Sequence, residues 1–444
     1  PTRIFFANSL LPSLYEKPKL ETKELVHTEA RSVCISMDMW TSSVNDSYMA
    51  ITRHYINDDY KLKSVLLDCS LITGSHTGIK LAEELRRVTE EWQISDKILI
   101  SVSDILLWRH FPCYAHTLNL AVRAALDGTE DICSLIMKVK TIKLKKYQEQ
   151  SGKRPKDPCK KLRLGGIPRT IYMLKRFVEL KEEIISTLAN LNTNVEVLSH
   201  MERKICQNLC EILEPCEQVS KEISSQKYVT ASIVIPITRG LKKELVGLGL
   251  HQNLPKLRRR SVEKVLRDIH GELLRTLPNL ESSKTFTTCM FLDTRYKLYF
   301  EDSAIEETIK QYIIGLVVKI INDESAESDR PSSLLNDQEA PMSLSTSSIW
   351  SDYLKTMSNI LEVQHYLEDK VISLWEDPLV WWKENKNTYP NLAKLVITNV
   401  SALATSVPCE KLFSVAWYIL NERRTRLGHR KLEQLLFLNQ NFKN

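Results

Sequence analysis

Residues 32–56 decide the fold, and they read SVCISMDMWTSSVNDSYMAITRHYI. Within them, Ser32–Asp38 is a short and mostly apolar run, while Ser47–Ile56 is rich in β-branched and aromatic residues, so each segment predicts a β-strand. The polar residues 57–59 (Asn-Asp-Asp) then predict a turn, and Leu62–Leu71 predicts a third strand. Because the connections are short, the three strands are expected to form an antiparallel meander.

A helix and a fourth strand follow this meander. The helix is predicted from apolar residues at helical spacing after a capping Ser75 or Thr77, namely Ile79, Ala82, Leu85, Val88 and Trp92. Lys97–Ser103 (KILISVS) is nearly continuous in apolar residues, as expected of a strand that is buried on both faces, and it ends at Asp104. The order of three strands, a helix, a strand and a further helix predicts an α/β RNase H-like core.

The remainder of the chain, up to about residue 390, is predicted to be mostly helical. Apolar residues lie three or four positions apart in Thr117–Leu126, Ile171–Leu188 and Met201–Lys221. Gly152–Pro168 is basic and contains Gly and Pro, which predicts a loop. Ala326–Ser348 is polar and poor in aromatic residues, and a flexible linker is expected there.

These predictions divide the chain into four parts. Residues 1–29 are expected to be an N-terminal helical or linker segment, and residues 30–130 the first part of the α/β core. Residues 131–390 are expected to form a large all-α insertion domain that interrupts the core and includes a flexible linker over 326–348. Residues 391–444 are expected to return to the core and complete it.

Composition and cysteine usage exclude several classes of protein. The 444 residues are 43% hydrophobic and include few Gly (12) and Pro (16), which favours a mostly helical globular chain. No apolar run approaches the roughly 18 residues that a membrane-spanning helix needs, and Pro1–Leu11 lacks the pattern of a secretory signal peptide, so no membrane partner is expected. The ten cysteines are scattered without any Cys-x-x-Cys pair, which indicates free thiols in a reducing compartment.

The net charge of +6 permits binding to nucleic acid without requiring it. Its distribution is more informative, because residues 138–163 carry eleven Lys or Arg against two acids, and a second basic cluster begins at Lys256. Both clusters are either solvated surfaces or contacts to DNA phosphates. The residues predicted to contact DNA are Lys145, Lys146, Lys153, Arg154, Arg258, Arg259 and Arg260.

Two aspartates stand at the ends of predicted strands, Asp38 after the first and Asp104 after the fourth. In an RNase H-like sheet these strands are neighbours, so the two carboxylates are expected at one edge. Carboxylates a few Å apart repel unless a cation lies between them, and hard oxygen ligands select Mg²⁺ or Mn²⁺. Two such ions activate a water or a 3′-hydroxyl for attack on a phosphodiester. The alternative is that each Asp is an ordinary turn or cap residue; a metal site would need a third acid.

Motifs distributed along the whole chain carry a family resemblance. In chain order they are Asp38-Met39-Trp40-Thr41-Ser42, Trp108 with Cys113-Tyr114-Ala115-His116-Thr117-Leu118-Asn119-Leu120, Phe291–Lys297 (FLDTRYK), Asp377–Trp382 (DPLVWW), Ser406–Ser414 (SVPCEKLFS), Asn421–Arg424 (NERR) and Leu435–Leu438. Together they resemble the hAT (hobo/Ac/Tam3) DNA transposases, most closely the Ac-like branch with a BED zinc finger. The final group resembles the hAT C-terminal dimerisation region, with Lys411 where the family has Arg.

The resemblance implies a retroviral integrase-like RNase H core with Asp38, Asp104 and Glu410 as a DDE triad that binds two Mg²⁺ or Mn²⁺ ions. The local sequence agrees for Glu410, because Ser406 can cap a helix and Pro408 would lie in its first turn, where the missing N–H costs little. The implied function is cut-and-paste transposition, with strand cleavage and hairpin formation at transposon ends and strand transfer to target DNA. The alternative is a domesticated DNA-binding regulator of transcription or chromatin without catalytic activity.

The resemblance also implies residues that contact DNA. Cys113 and His116 lie beside the active site in the family, and together with Arg169 they are predicted to bind DNA. A single Cys-x-x-His lacks two of the four ligands of a structural zinc site. The alternative for His116 is a histidine packed in the core.

Further implications concern partners and location. The C-terminal helix Lys431–Phe442 is expected to form a homodimer or higher homo-oligomer with other copies of the chain through Leu432, Leu435, Leu436 and Leu438. The expected DNA partners are transposon terminal inverted repeats and target DNA in the nucleus. Zinc is expected only in an N-terminal BED finger, which is not present in this chain.

The sequence departs from the family pattern at two places. Asp104 runs almost directly into Trp108, where the family has a longer stretch containing Asn and Ala, and Ile167–Leu174 lacks the Trp that stabilises a flipped or hairpinned DNA end in the family. These are either true deletions, which favour an inactive relative, or loops missing from the sequence as written. The second alternative is expected, because the triad carboxylates are present.

Overall fold

In the computed structural model, the sheet has five strands: β1 (Val33–Thr41), β2 (Ser47–Ile56), β3 (Leu62–Ile72), β4 (Ile98–Val102) and β5 (His110–Phe111). Their order is β3-β2-β1-β4-β5; β2 is antiparallel to both of its neighbours, and β4 is parallel to both of its neighbours. The predicted antiparallel meander and fourth strand are confirmed, and β2 has the predicted bounds.

The structure describes residues 2–42, 45–74, 77–102, 110–141, 167–179, 198–225, 229–250, 256–277, 280–328, 357–358, 360–420 and 427–442. Within those ranges, every helix is too short or too polar to cross a lipid bilayer. The nine cysteines in the described part of the chain are all free thiols.

The helices account for most of the described residues. They are α1 (Leu11–Glu29, preceded by helical turns Arg3–Phe5 and Phe6–Leu10), α2 (Gly78–Glu91), α3 (Tyr114–Asp127), α4 (Glu130–Thr141), α5 (Ile167–Glu179), α6 (His200–Ile223), α7 (Val234–Leu250), α8 (Lys256–Thr276), α9 (Lys284–Phe291), α10 (Ser303–Ser328), α11 (360–368), α12 (Pro378–Asn385), α13 (Pro390–Asn399), α14 (Val407–Ile419) and α15 (His429–Asn441). Short 3₁₀ turns cover Ser95–Lys97, Thr230–Ile233 and Leu280–Ser282. The protein is therefore mixed α/β and mostly helical.

Helix prediction succeeded where the apolar spacing was regular. The predicted Thr117–Leu126 lies within α3, and Met201–Lys221 lies within α6. The cap of α2 is Thr77, whose Oγ1 accepts a hydrogen bond from the backbone N–H of Lys80 at 3.4 Å. Spacing alone therefore located these helices to within a few residues of their observed ends.

Two loop predictions need correction at their edges. Ile167 and Pro168, which were expected in a loop, form the first turn of α5, where a proline is tolerated because its N–H would have no helical partner. The expected linker from residue 326 begins as helix, because α10 continues to Ser328. Residues 142–166, 180–197 and 329–356 lie outside the described residues, and with them the rest of both loops and the end of the predicted helix Ile171–Leu188.

Helices cover both faces of the sheet, which explains why every residue of β2 is buried. Alternate residues of a strand point to opposite faces. On β1, Val33, Ile35 and Met37 share a buried cluster with apolar residues of α2 and α15. Cys34 belongs to a different cluster, which contains α3 and most of the helical region. The face of the sheet that carries Cys34 therefore packs against α3 and most of the helical region.

The motif Phe291–Lys297 forms a buried connection, which we call the 291–297 bracket. The guanidinium of Arg295 donates from Nε to Asp293 Oδ1 at 2.9 Å and from an Nη to Asp293 Oδ2 at 2.7 Å. Ser232 Oγ donates to the same carboxylate at 2.6 Å. Asp293 and Arg295 are both buried, and each stabilises the charge of the other in a place where desolvation is costly.

The other half of the 291–297 bracket holds the segment after α11. Lys297 is fully buried, and its Nζ donates to the backbone carbonyls of Tyr366 and Asp369. Trp382 Nε1 donates to the carbonyl of Leu292 at 2.8 Å. The bracket therefore ties the turn Thr230–Ile233 to the end of α11 and to α12, which gives a structural role to a motif that the sequence marked only by family resemblance.

Candidate active site

Asp38 lies on β1, on the same face as Cys34 and Ser36, and is half-buried. Its Oδ1 accepts a hydrogen bond from the backbone N–H of Met39 at 2.8 Å. The next strand, β4, runs parallel to β1, and its last residue Val102 pairs with Ser36. Asp38 therefore lies at the end of the sheet at which β4 also ends.

The buried segment Ser401–Ser406 approaches this face from the far end of the chain. The N–H of Leu403 donates to Cys34 Sγ at 3.5 Å, and the N–H of Tyr114 donates to the carbonyl of Ala404 at 3.0 Å. The N–H of Ser406 donates to Cys113 Sγ at 3.4 Å. The segment is thus hydrogen-bonded to β1 and to the start of α3, and it places the start of α14 next to the sheet.

Cys409 anchors the first turn of α14. Its thiol lies 3.5 Å from the carbonyl of Ser36 and 3.6 Å from that of Ala50, and 3.5 Å from Thr52 Oγ1. Burial, together with the nearby carboxylate of Asp38, raises the pKa of Cys409 to about 12. The first turn of α14 therefore lies within electrostatic reach of Asp38.

Glu410 follows Cys409 directly and is half-buried in the same first turn. Ser406 occupies the N-cap position, as predicted, although its side chain makes no capping hydrogen bond, and Pro408 lies in the first turn. Burial raises the pKa of Glu410, and the charge of His116 opposes that rise. The geometry therefore brings Asp38, Glu410 and His116 to one region of the protein.

His116 is exposed in the first turn of α3, so the interpretation as a packed core histidine is wrong. Cys113, by contrast, is buried at 1% exposure, and its sulfur accepts the hydrogen bond from Ser406. Burial raises the pKa of the Cys113 thiol. In this structure Cys113 positions α14 against α3 and offers no surface to a ligand, whereas His116 does.

Asp104 lies outside the described residues and follows Val102 by two positions along the chain. The 444-residue sequence is continuous from Asp104 to Trp108, with three residues between them. The expectation that loops are missing from the sequence is therefore wrong, and the short connection after Asp104 is a property of this chain.

Among the described residues, no group of three or more His, Cys, Asp or Glu side chains is placed to hold a metal ion. Two of the three predicted ligands, Asp38 and Glu410, are described, and both are carboxylates. The neighbouring Cys113 and Cys409 thiols have raised pKa values and so remain protonated. This donor set fits a hard cation such as Mg²⁺ or Mn²⁺ rather than zinc.

Beneath the candidate site, β1 and β2 share a buried polar cluster formed by Ser36, Thr52 and His54. The Oγ of Ser36 lies 2.6 Å from Thr52 Oγ1, and His54 Nε2 lies 3.1 Å from Ser36 Oγ. Burial lowers the pKa of His54 to about 3, so the imidazole is neutral in the folded protein at physiological pH.

This cluster predicts acid sensitivity of the fold. The pKa of His54 is about 3 when folded against about 6.5 when unfolded, so between these values the unfolded state binds the extra proton and stability falls as the pH falls. We expect a loss of about 2 kcal/mol in the free energy of unfolding between pH 7 and pH 5 from this residue. Urea unfolding at both pH values, with His54→Gln as the non-titrating variant, measures it. An equal loss in the variant would contradict the assignment.

The predicted DNA-binding cations are only partly described. Lys145, Lys146, Lys153 and Arg154 lie outside the described residues. Arg169 is in the first turn of α5 and Arg258 and Arg259 in that of α8, but their side chains are not described. Arg260 is exposed on α8. The role of all these residues in DNA binding stays a prediction.

The predicted dimerisation leucines divide into two pairs on α15. Leu432 and Leu436 are fully buried in the chain's own core with Phe437. Leu435 and Leu438 are half-buried. The leucine spacing predicted the helix, but two of the four side chains are already packed within one chain, and a contact between copies by this set stays a prediction.

Sequence reasoning missed the anchoring role of Cys409 and of the 401–406 segment. The available signal was the run Ser401–Ser406 (SALATS), in which every residue except Leu403 is small. It overlaps the SVPCEKLFS motif at Ser406, and it lacks the spacing of a helix and the charge of a surface loop. Small side chains allow close backbone approach, which is what its hydrogen bonds to Cys34, Cys113 and Tyr114 require.

Comparison with known families agrees with this arrangement. Residues 362–442 match the hAT family C-terminal dimerisation region, and residues 36–118 match the ZBED1 RNase-like domain. The first match contains α14 with Glu410, and the second contains Asp38 and His116. The chain is therefore a relative of the hAT transposases and ZBED proteins, as its motifs indicated.

Relatives along the whole chain have the same affiliation. Zinc finger BED domain-containing protein 4 of Homo sapiens is 24% identical over 99% of this chain, which covers 40% of that protein. Putative AC transposase of Zea mays is 22% identical over 94% of the chain and 58% of its own length. Zinc finger BED domain-containing protein 6 of Homo sapiens is 21% identical over 100% of the chain and 52% of its own length. The chain thus spans roughly half the length of these relatives.

Proposed function

We propose that this chain is the catalytic and dimerisation part of a hAT-type cut-and-paste DNA transposase, acting on transposon terminal inverted repeats and target DNA in the nucleus. The observation that carries the proposal is the first turn of α14, in which Cys409 binds the sheet and leaves Glu410 beside the Asp38 face. Two acids that are far apart in the sequence are thereby carried by elements that pack together, and metal-dependent phosphodiester cleavage uses such carboxylates.

The strand arrangement supports an RNase H-like core over about residues 30–130 and 391–420. Three antiparallel strands lead into a fourth that is parallel to β1, and a helix packs after it. The helices between residues 131 and 390 would then be an insertion within that core. The match to a hAT dimerisation region supports homo-oligomerisation of the chain.

Asp38, Asp104 and Glu410 would hold two Mg²⁺ or Mn²⁺ ions. When bound, such ions supply activation of the attacking water or 3′-hydroxyl and stabilisation of the leaving oxygen. Asp104 enters this set through the family resemblance, and in the sequence it follows Val102, the last residue of β4, by two positions. Within the set, Cys409 positions Glu410 and the Met39 N–H orients Asp38.

His116 would contribute a contact to the scissile phosphate. It is exposed in the first turn of α3, and its charge acts to lower the pKa of Glu410. An imidazole next to a catalytic carboxylate can donate a hydrogen bond to a phosphate oxygen and orient it. Arg260 on α8 and the basic stretch 138–163 would bind the DNA backbone with a marked dependence on salt.

The test is a cleavage assay with the full-length protein and labelled duplexes that carry the ends of its transposon, with and without Mg²⁺ or Mn²⁺. We expect nicks and hairpins on a denaturing gel only when the divalent ion is present. Tight, salt-dependent binding without any product under both metals would contradict the catalytic proposal.

A second candidate function is a DNA-binding regulator of hAT origin without catalysis. It is favoured by the short connection between Asp104 and Trp108 and by the absence of a Trp in Ile167–Leu174, both of which are true features of this chain. This candidate keeps the fold and the dimerisation region, and it predicts the binding-only outcome of the same assay.

A further inference from the structure

A cavity of about 540 Å³ lies in the helical region, between α7, α9, α10 and the turn Leu280–Ser282. None of the candidate active-site residues lines it. Its wall is largely apolar, with contributions from Ile235, Leu277, Leu280, Ile305 and Ile309. A volume of this size, with an apolar wall and a few polar groups, is typical of a site for a small organic ligand.

The polar groups of this cavity are mainly cationic. Arg239, Lys242 and Lys284 line it, against Glu281 as the acid, so the lining carries three positive charges and one negative charge, a net of +2. Glu281 already forms an ion pair with Arg239, whose Nε donates to its Oε1 at 2.9 Å. Neither lysine forms an ion pair with Glu281, although the charge of Glu281 still acts on Lys242.

Lys242 is half-buried and makes no hydrogen bond or ion pair with any residue in the part of the chain that the structure describes. Burial lowers its pKa. Lys284 lies with Nζ 4.7 Å from the centre of the Tyr312 ring, and that ring also lines the cavity. Burial of Lys242 outweighs the opposing charge of Glu281, and an anion in the cavity would offset that cost of desolvation.

We propose that this cavity binds a small phosphate monoester with a flat apolar body. A phosphate monoester carries nearly two negative charges at neutral pH, which matches the net charge of the lining. Its phosphate lies between Lys242 and Lys284, and its ring lies against Tyr312 and the isoleucine wall. The hydroxyl of Thr308, which also lines the cavity, is available to the polar edge of the ligand.

The test is isothermal titration of the full chain with adenosine 5′-monophosphate, adenosine and inorganic phosphate. We expect the monophosphate to bind at one site per chain and adenosine and inorganic phosphate each to bind at least about tenfold more weakly, because each lacks half of the recognised features. Equal affinity for adenosine and its monophosphate would overturn the proposal, as would no binding of the monophosphate at about 1 mM.

Single-residue variants test whether the two lysines form the binding site. Lys242→Met and Lys284→Gln should each weaken binding of the monophosphate by at least about tenfold, whereas Lys243→Gln, an exposed neighbour on α7 that does not line the cavity, should not. Unchanged affinity in both lining variants would overturn the assignment. Lys242→Met should also raise the melting temperature of the ligand-free protein, because it removes a half-buried charge, and a fall would contradict the role given to that charge.

Discussion

Replacing Glu410 with Gln is expected to reduce DNA strand cleavage by about 10³-fold or more while DNA binding changes little. The amide has nearly the same shape but lacks the negative charge that a divalent ion requires. Burial already raises the pKa of Glu410, so the neutral amide removes an unfavourable charge, and the fold should be at least as stable. Product formation from labelled transposon-end DNA, measured in single turnover, reports the loss.

The matched control is Glu90→Gln, which makes the same chemical change on an exposed face of α2 and should cleave like the parent protein. The cleavage rate of Asp38→Asn should fall as far as that of Glu410→Gln. The rate of the double variant should fall little further, because residues that act as one unit lose their effect together. If Glu410→Gln kept cleaving at the parent rate, the third carboxylate would have to be another residue.

Replacing Asp293 with Ala is expected to lower the free energy of unfolding by about 3–5 kcal/mol. The change removes the Asp293 carboxylate beside the buried guanidinium of Arg295, and it removes one of the two acceptors of Ser232, whose hydroxyl also donates to the carbonyl of Val229. The loss should appear as a lower urea midpoint and a lower melting temperature. Asp293 holds Ser232, and the adjacent Thr230 and Ala231 bond to the 401–406 segment, so the start of α14 should also become more open to amide exchange.

A double variant separates the lost ion pair from simple loss of packing. Asp293→Ala with Arg295→Met removes both charges, so it should be more stable than Asp293→Ala alone. Asp127→Ala serves as the surface control, because Asp127 is exposed and makes only a surface ion pair with Arg123, so its effect should stay within about 0.5 kcal/mol. If the double variant were no more stable than the single one, loss of the Asp293 carboxylate beside the buried guanidinium would not be the cause.

Local sequence predicted the elements whose pattern is regular. The run 47–56 became β2 with the predicted bounds, and Thr77 caps α2 as expected, because strand alternation and capping depend on neighbouring residues. The first turn of α14 was also predicted from Ser406 and Pro408. The exposure of His116 was left open, because its position in the first turn of a helix is compatible with either a buried or an exposed side chain.

The sequence by itself determined the strands, the caps and the identity of the acids and motifs, since these follow from chemistry within a few neighbouring residues. Only the tertiary structure decided that Cys409 seats Glu410 on β1 and β2, that Cys113 is buried, and that Leu432 and Leu436 pack within one chain. It also decided that Lys242 and Lys284 share a cavity. Such contacts join residues tens to hundreds of positions apart, and which side chains meet depends on how whole helices pack against the sheet.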